Sequence, residues 1–186
     1  EGTVLTTESC FPNANRNPDW TRDQIEEELM EALGADKVIW LPGNVEETET
    51  DGHVDGIAVF VAPGVVVMEA EGSADHPWRD INIANLRAMD GQTDAAGNAI
   101  RVVKIPEAEE ADSGGYDDRF CRSYVNAYLC NGAVIMPEYG VASDGLAREL
   151  FQEVCPDRRV IGVPIRDIAL GGGGIHCITQ QEPAAP

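Results

Sequence analysis

Positive charge is what this sequence has least of. Lysine occurs only at Lys37 and Lys104, and 13 Lys plus Arg stand against 33 Asp plus Glu, a net charge of -20 over 186 residues. Nucleic acid and anionic membranes are held by basic side chains, so both are excluded as partners. Long apolar runs are missing too. No stretch approaches the ~20 residues of a membrane span, and no basic segment leads into an apolar one as in a secretory signal. The chain opens at Glu1 without a methionine, so something upstream is expected to have been removed or to belong to another chain. The cysteines, Cys10, Cys121, Cys130, Cys155 and Cys177, are odd in number and form no CxxC pair. That pattern supports neither a disulfide scaffold nor structural zinc and fits a reducing, cytoplasmic setting. The acidity reads as a solubility feature; its functional reading is a negative field that draws in a cationic substrate.

What is present is a repeated order of elements. Thr21 to Leu33 predicts a helix, with Thr21 and Gln24 as a capping box, Trp20 and Ile25 as a staple and Gly34 at its end. Lys37 to Leu41 predicts a buried strand. Ile57 to Ala62, a Pro63-Gly64 turn and Val65 to Glu69 predict a hairpin. A helix follows, with Asp75 as cap, Pro77 in the first turn and Gly91 past its end; Arg101 to Ile105 is the next strand. After an acidic loop, Glu107 to Asp118, the order recurs. Ser123 to Cys130, an Asn131-Gly132 turn and Ala133 to Glu138 make a hairpin, Asp144 caps a helix through Val154, and Arg159 to Val163 is a strand. The two turns lie 68 residues apart, Pro63 to Asn131. Thr3 to Thr6, the first helix and Lys37 to Leu41 read as the rear half of a third such unit, and Asp167 to Leu170 begins or closes another. Stacked repeats need neighbours to bury their faces, so a second chain or a missing segment is expected to complete the domain.

The chemistry concentrates at the end of the chain. Gly171-Gly172-Gly173-Gly174-Ile175-His176-Cys177-Ile178-Thr179-Gln180-Gln181 carries a glycine run straight into a thiol, and glycine lets a ligand approach the main chain closely. Far upstream stands Gly52-His53-Val54-Asp55-Gly56. A cysteine, a histidine and an aspartate distant in sequence are the minimum set for nucleophilic catalysis by a thiolate. The alternatives at each position are structural. Cys130 and Cys155 read as core residues, His176 as pointing away along an extended segment, His76 as a surface residue, Trp40 as core and Trp78 as packed on its helix. Arg16 holds a loop or meets a partner chain. A metal site of His53, Asp55, His176 and Cys177 stays open at this point.

Lys37-Val38-Ile39-Trp40-Leu41-Pro42, Gly52-His53-Val54-Asp55, Ser123-Tyr124-Val125-Asn126, Asn15-Arg16-Asn17-Pro18 and the terminal glycine–cysteine block together resemble the agmatine deiminase family of the pentein superfamily. The blocks follow the family's order and cover nearly the whole chain. The resemblance implies an α/β fold, the C-terminal part of a five-bladed α/β propeller built from ββαβ repeats. Residues 1–186 would form a partial propeller domain, and the remaining units would come from another chain or segment in a heteromer, with a higher homo-oligomer possible. It implies a hydrolase that converts a small cationic guanidino compound such as agmatine to its ureido product plus ammonia, a step of putrescine biosynthesis, with no cofactor and no metal. Cys177 would be the nucleophile, His53 the acid and base, and Asp55 both a catalytic residue and one arm of the fork that binds the guanidinium. Gly172, Gly173, Gly174 and Asp51 would line the substrate site, with Glu49 near its mouth. The same thiol chemistry on peptidylarginine, a guanidino acid or another amidine is the alternative substrate reading. A non-catalytic subunit with a decayed site is the alternative of a different class.

Overall fold

β1 (Thr3–Thr7), α1 (Arg22–Leu33) and β2 (Lys37–Leu41) open the chain, and the two strands pair in parallel through the helix. This is the computed structural model of the chain, and it describes residues 2–116 and 119–182. Residue 1, the Asp117–Asp118 end of the acidic loop and residues 183–186, all within the expected domain span, lie outside the described residues. β3 (Ala58–Ala62) turns at Pro63-Gly64 into antiparallel β4 (Val65–Glu69), α2 (Arg79–Ala88) crosses over, and β5 (Arg101–Ile105) lies parallel to β4. The same path recurs in β6 (Tyr128–Cys130), β7 (Ala133–Glu138), α3 (Ser143–Val154) and β8 (Arg159–Pro164). A tight turn can join only antiparallel strands, so each parallel step requires its crossover helix. α4 (Arg166–Ala169) and two 3-10 turns, Val54–Gly56 and His176–Ile178, complete the elements.

The central strands carry the core. β4 reads Val-Val-Val-Met-Glu without polar alternation because both of its faces are buried. Val66 and Met68 pack with Ile39, Leu41 and Met89, whereas Val67 faces the larger cluster built on Tyr124, Met136 and Phe151. No helix among the described residues is long and apolar enough to cross a membrane.

The first helix forms as its caps dictate. Thr21 and Gln24 exchange both capping-box bonds, and Gly34 ends the helix with φ +61. Its apolar face is narrower than the pattern suggests, because only Ile25 is buried; Trp20 stays 46% exposed and Leu33 62%. Other elements differ from the sequence reading. α2 starts at Arg79, after Pro77, because turns running from Ser73 through His76 to Arg79 use the backbone groups there, and Asp75 caps nothing. Asp144 does not cap α3. Its carboxylate turns back to accept bonds from the amides of Tyr139, Gly140 and Val141 and from the Tyr124 hydroxyl. Asp167 to Leu170, read as the start or close of another unit, lies in the short helix α4 and its C-cap. Ser123 to Ala127 is irregular, leaving β6 only three residues long. Side chains of Ser123 and Asn126 bond to distant backbone there, the usual way such residues compete with a strand ladder.

Candidate active site

The loop that carries His53 is built around a carboxylate. Glu47 accepts bonds from the amide and hydroxyl of Thr50 and from the Gly52 amide. The Gly52 carbonyl then accepts from Thr7 at 2.8 Å and Ser9 at 3.2 Å, which fastens the loop to the end of β1. Gly52 sits at φ +70, and a Cβ there would lie 2.4 Å from the Asn44 carbonyl oxygen. Gly52→Ala is therefore expected to destabilise the protein by about 3 kcal/mol, combining a left-handed backbone cost with overpacking. Urea denaturation measures it; a midpoint equal to the parent's would show that the loop yields freely.

His53 caps the first 3-10 turn and Asp55 lies within it, and Cys177 sits in the second. Three links bring the turns together. Ser123 Oγ donates to the Gly56 carbonyl at 2.8 Å. The amide of His176 donates to Asn126 Oδ1 at 2.9 Å. The Asn126 carboxamide also donates to Cys177 Sγ at 3.2 Å. Asp55 stands between two imidazoles. His53 Nδ1 lies 2.8 Å from Oδ1 and His176 Nδ1 2.9 Å from Oδ2, while the thiol donates to Oδ2 at 3.3 Å. The carboxylate side chain is only 12% exposed. Burial pushes its pKa up, but the hydrogen bonds from His176 and His53 outweigh burial and hold Asp55 well below the usual carboxylate range. Asp55 is thus ionised and each Nδ1 is the donor. Burial, with the Asp55 charge, pushes the Cys177 thiol up, against the Gly174 amide that favours its anion. The bond to Asp55 raises His176 against its own burial.

These groups open on a cavity of about 600 Å³ lined by His53, Asp55, Asn126 and Cys177 and by Glu69 and Glu107 among others. Glu49 and Gly172 also stand in its wall. Gly173 and Gly174 do not. A Cβ on Gly173 would meet the Cys177 side chain at 3.1 Å, and one on Gly174 would lie 2.5 Å from Asn126 Oδ1. Their bareness makes room for the asparagine and the thiol and not for a ligand. Asp51 also stands outside the wall, because its carboxylate is taken by Arg16 at 3.3 Å and Asn15 at 3.1 Å. Arg16 therefore holds the loop. His176 does not point away along an extended segment, since the 3-10 turn at His176–Ile178 turns its ring onto Asp55.

His76 is not a surface residue either. Its side chain is 6% exposed, and Nε2 lies 2.5 Å from a Glu107 oxygen. Glu107 also meets Glu69, whose Oε1 is a buried side-chain oxygen with no partner among the described residues. Burial and the Glu107 charge push Glu69 well up, while the bonds from His76 and Glu69 hold Glu107 down against its own burial. The bond to Glu107 raises His76 against its own burial. Cys155 is buried as read, and the five cysteines are free, with Cys177 the exposed one. No group of three or more His, Cys, Asp or Glu with metal-holding geometry occurs among the described residues. The sequence reading held Asn126 only within the block 123–126 that carries the family resemblance, with no role at the site, and passed over Glu47. The signal for Asn126 was a lone amide ending the apolar run Tyr124-Val125, and for Glu47 there was none.

The family model described as Porphyromonas-type peptidyl-arginine deiminase matches residues 1–183. The agmatine deiminase of Stutzerimonas stutzeri (strain A1501) is 42% identical, with 99% of this chain and 54% of that protein aligned. That of Ectopseudomonas mendocina (strain ymp) is 40% identical, with 99% and 54% aligned. The solved agmatine deiminase of Enterococcus faecalis superposes with a TM-score of 0.91 at 35% identity, covering 98% of this chain and 54% of that one. The chain therefore has the α/β fold of these structures, and it spans about half the length of the curated relatives it matches.

Proposed function

We propose, from the premise that this chain belongs to the Porphyromonas-type peptidyl-arginine deiminase family and is similar to agmatine deiminases, that it supplies the nucleophile-bearing half of a guanidine-hydrolysing site. The observation that carries the reading is the exposed thiol of Cys177 held 3.3 Å from a carboxylate that is itself fixed by two imidazoles. In this reading the three sheets are successive parts of a five-bladed propeller. β4 and β7 each have an antiparallel neighbour on the side away from their parallel partner, whereas β1 pairs with β2 alone among the described residues. A complementary segment would supply that neighbour and the rest of the substrate cage.

A guanidinium is a flat, delocalised cation with donors in a fixed fork, and a carboxylate matches two of them. Asp55 presents its ionised group beside Sγ and so draws the electrophilic carbon toward the thiol. The thiol rests protonated, because burial and Asp55 push it up. The arriving cation offsets the Asp55 charge and favours the thiolate, and the thiol proton passes to His53. Sulfur then forms a bond to the guanidinium carbon, giving a tetrahedral adduct. Asp55 holds His53 through Nδ1, which leaves Nε2 to exchange protons. His53 delivers a proton to one nitrogen, the C–N bond breaks and ammonia leaves an amidino-cysteine. A water then loses its proton to His53 and attacks the same carbon. The C–S bond breaks, the ureido product leaves, and the thiol takes the proton back. Glu49 in the wall offers a carboxylate to the tail of a substrate such as agmatine.

A peptidylarginine side chain presents the same fork, and the name of the matched family model favours it as the second reading. Product analysis of the assembled protein separates the two. Agmatine is expected to yield its ureido product and ammonia in equal amounts, unaffected by chelators, and faster than a blocked arginine peptide. Absence of ureido product from every guanidine offered would remove the reading.

A further inference from the structure

Asp55 is gripped at both ends, and the roles above use only one grip. His53, in the cavity wall, holds Oδ1; His176 holds Oδ2 from outside that wall. The position of His176 is not accidental to its ring. Its amide is fixed by both oxygens of Asn126, at 2.9 Å to the side chain and 3.2 Å to the backbone. Its carbonyl accepts from the amide and the hydroxyl of Thr179, each at 3.0 Å. The 3-10 turn is thereby pinned on both sides, and the imidazole leaves it aimed at Asp55.

The torsion that turns a carboxylate about its Cβ–Cγ bond is broad and roughly two-fold. One bond, at Oδ1, fixes an oxygen and leaves the plane free to swing. A second bond at the opposite oxygen fixes the plane. A planar guanidinium needs that plane, since a twisted carboxylate loses one of the two parallel bonds that make the pair directional. Oδ2 is also the oxygen nearest the thiol, so its placement sets where the cation lies relative to Sγ.

We propose that His176 is a positioning residue: it locks the Asp55 carboxylate, from the side opposite His53, in the plane that receives the guanidinium beside Cys177. The inference rests on the deiminase reading. His176→Ala removes the donor, while His176→Asn can place an amide N–H close to where Nδ1–H stands. In the assembled protein with agmatine, the alanine variant is expected to lose about tenfold to a hundredfold in kcat/KM, the worth of one hydrogen bond to a charged group. The asparagine variant is expected to recover most of that loss, to within about threefold of the parent. Should the alanine variant fail to fold, His176→Gln, with its amide one methylene farther out, gives the same comparison against asparagine. A donor-free or displaced-donor variant as active as the parent, or an asparagine variant no better than it, overturns the inference and leaves the deiminase reading standing. A parent that forms no ureido product overturns both.

Discussion

Replacing Cys177 with serine is expected to lower kcat for agmatine at least roughly ten-thousand-fold, with KM and the unfolding midpoint close to the parent's. The substitution keeps the shape of the 3-10 turn and leaves Asn126 and Asp55 with a group to bond. What it removes is the sulfur, whose anion is within reach near neutral pH while a serine alkoxide is not. The other thiols offer no substitute. Burial pushes Cys121 up to about 12 and also raises Cys10, and of the five cysteines Cys177 is the exposed one. Initial rates of ureido formation measure the loss. Intact-mass analysis of acid-quenched turnover mixtures adds a qualitative check, since the parent alone should carry an amidino group on the peptide containing Cys177. A serine variant retaining a percent of parental turnover would assign the nucleophile elsewhere.

Asp55→Asn is expected to cost on the order of a thousandfold or more in kcat/KM, because three functions fail together. The carboxamide must turn its NH2 toward one of the two imidazoles, which reverses that ring's tautomer. It offers the guanidinium no charge. It also removes the negative group that keeps His53 and His176 in place. The same variant tests the electrostatics through stability. The folded-state pKa of Asp55 lies below its unfolded value of about 3.9, so its contribution is fully present above that range and is lost as pH falls through the lower folded value. The parent should therefore exceed the asparagine variant in urea midpoint at neutral pH, and the gap should narrow on acidification. A gap that widens toward low pH would mean that Asp55 is not held as an anion.

Much of this was legible in the residues. Thr21, Gln24 and Gly34 mark α1 because capping is local chemistry, and the turns at Pro63-Gly64 and Asn131-Gly132 mark the hairpins for the same reason. His53, Asp55 and Cys177 could be picked out by type, and the structure brings them together in the cavity wall. What stayed hidden depends on which distant group a polar side chain meets. Asp144 looks like a cap in one dimension but answers to three amides behind it. His76 looks exposed beside Pro77 until Glu107 arrives from 31 residues away. Asp51 and the glycines at 173 and 174 sit beside the chemistry in sequence and face other tasks in space, because a 3-10 turn redirects neighbours where an extended segment would alternate them.

The parallel pair of β1 and β2 carries a cost beyond catalysis. β1, Thr-Val-Leu-Thr-Thr, is short, β-prone and free of proline and lysine, and its outer rim of amides and carbonyls is a template for any strand that drifts past. Sticky rims of this kind favour mispairing and precipitation. The heavy surplus of carboxylates works against that fate, since like-charged copies repel before their rims can meet. The scarcity of lysine then acts as colloidal insurance for that strand edge, and salt, by screening the repulsion, would erode it.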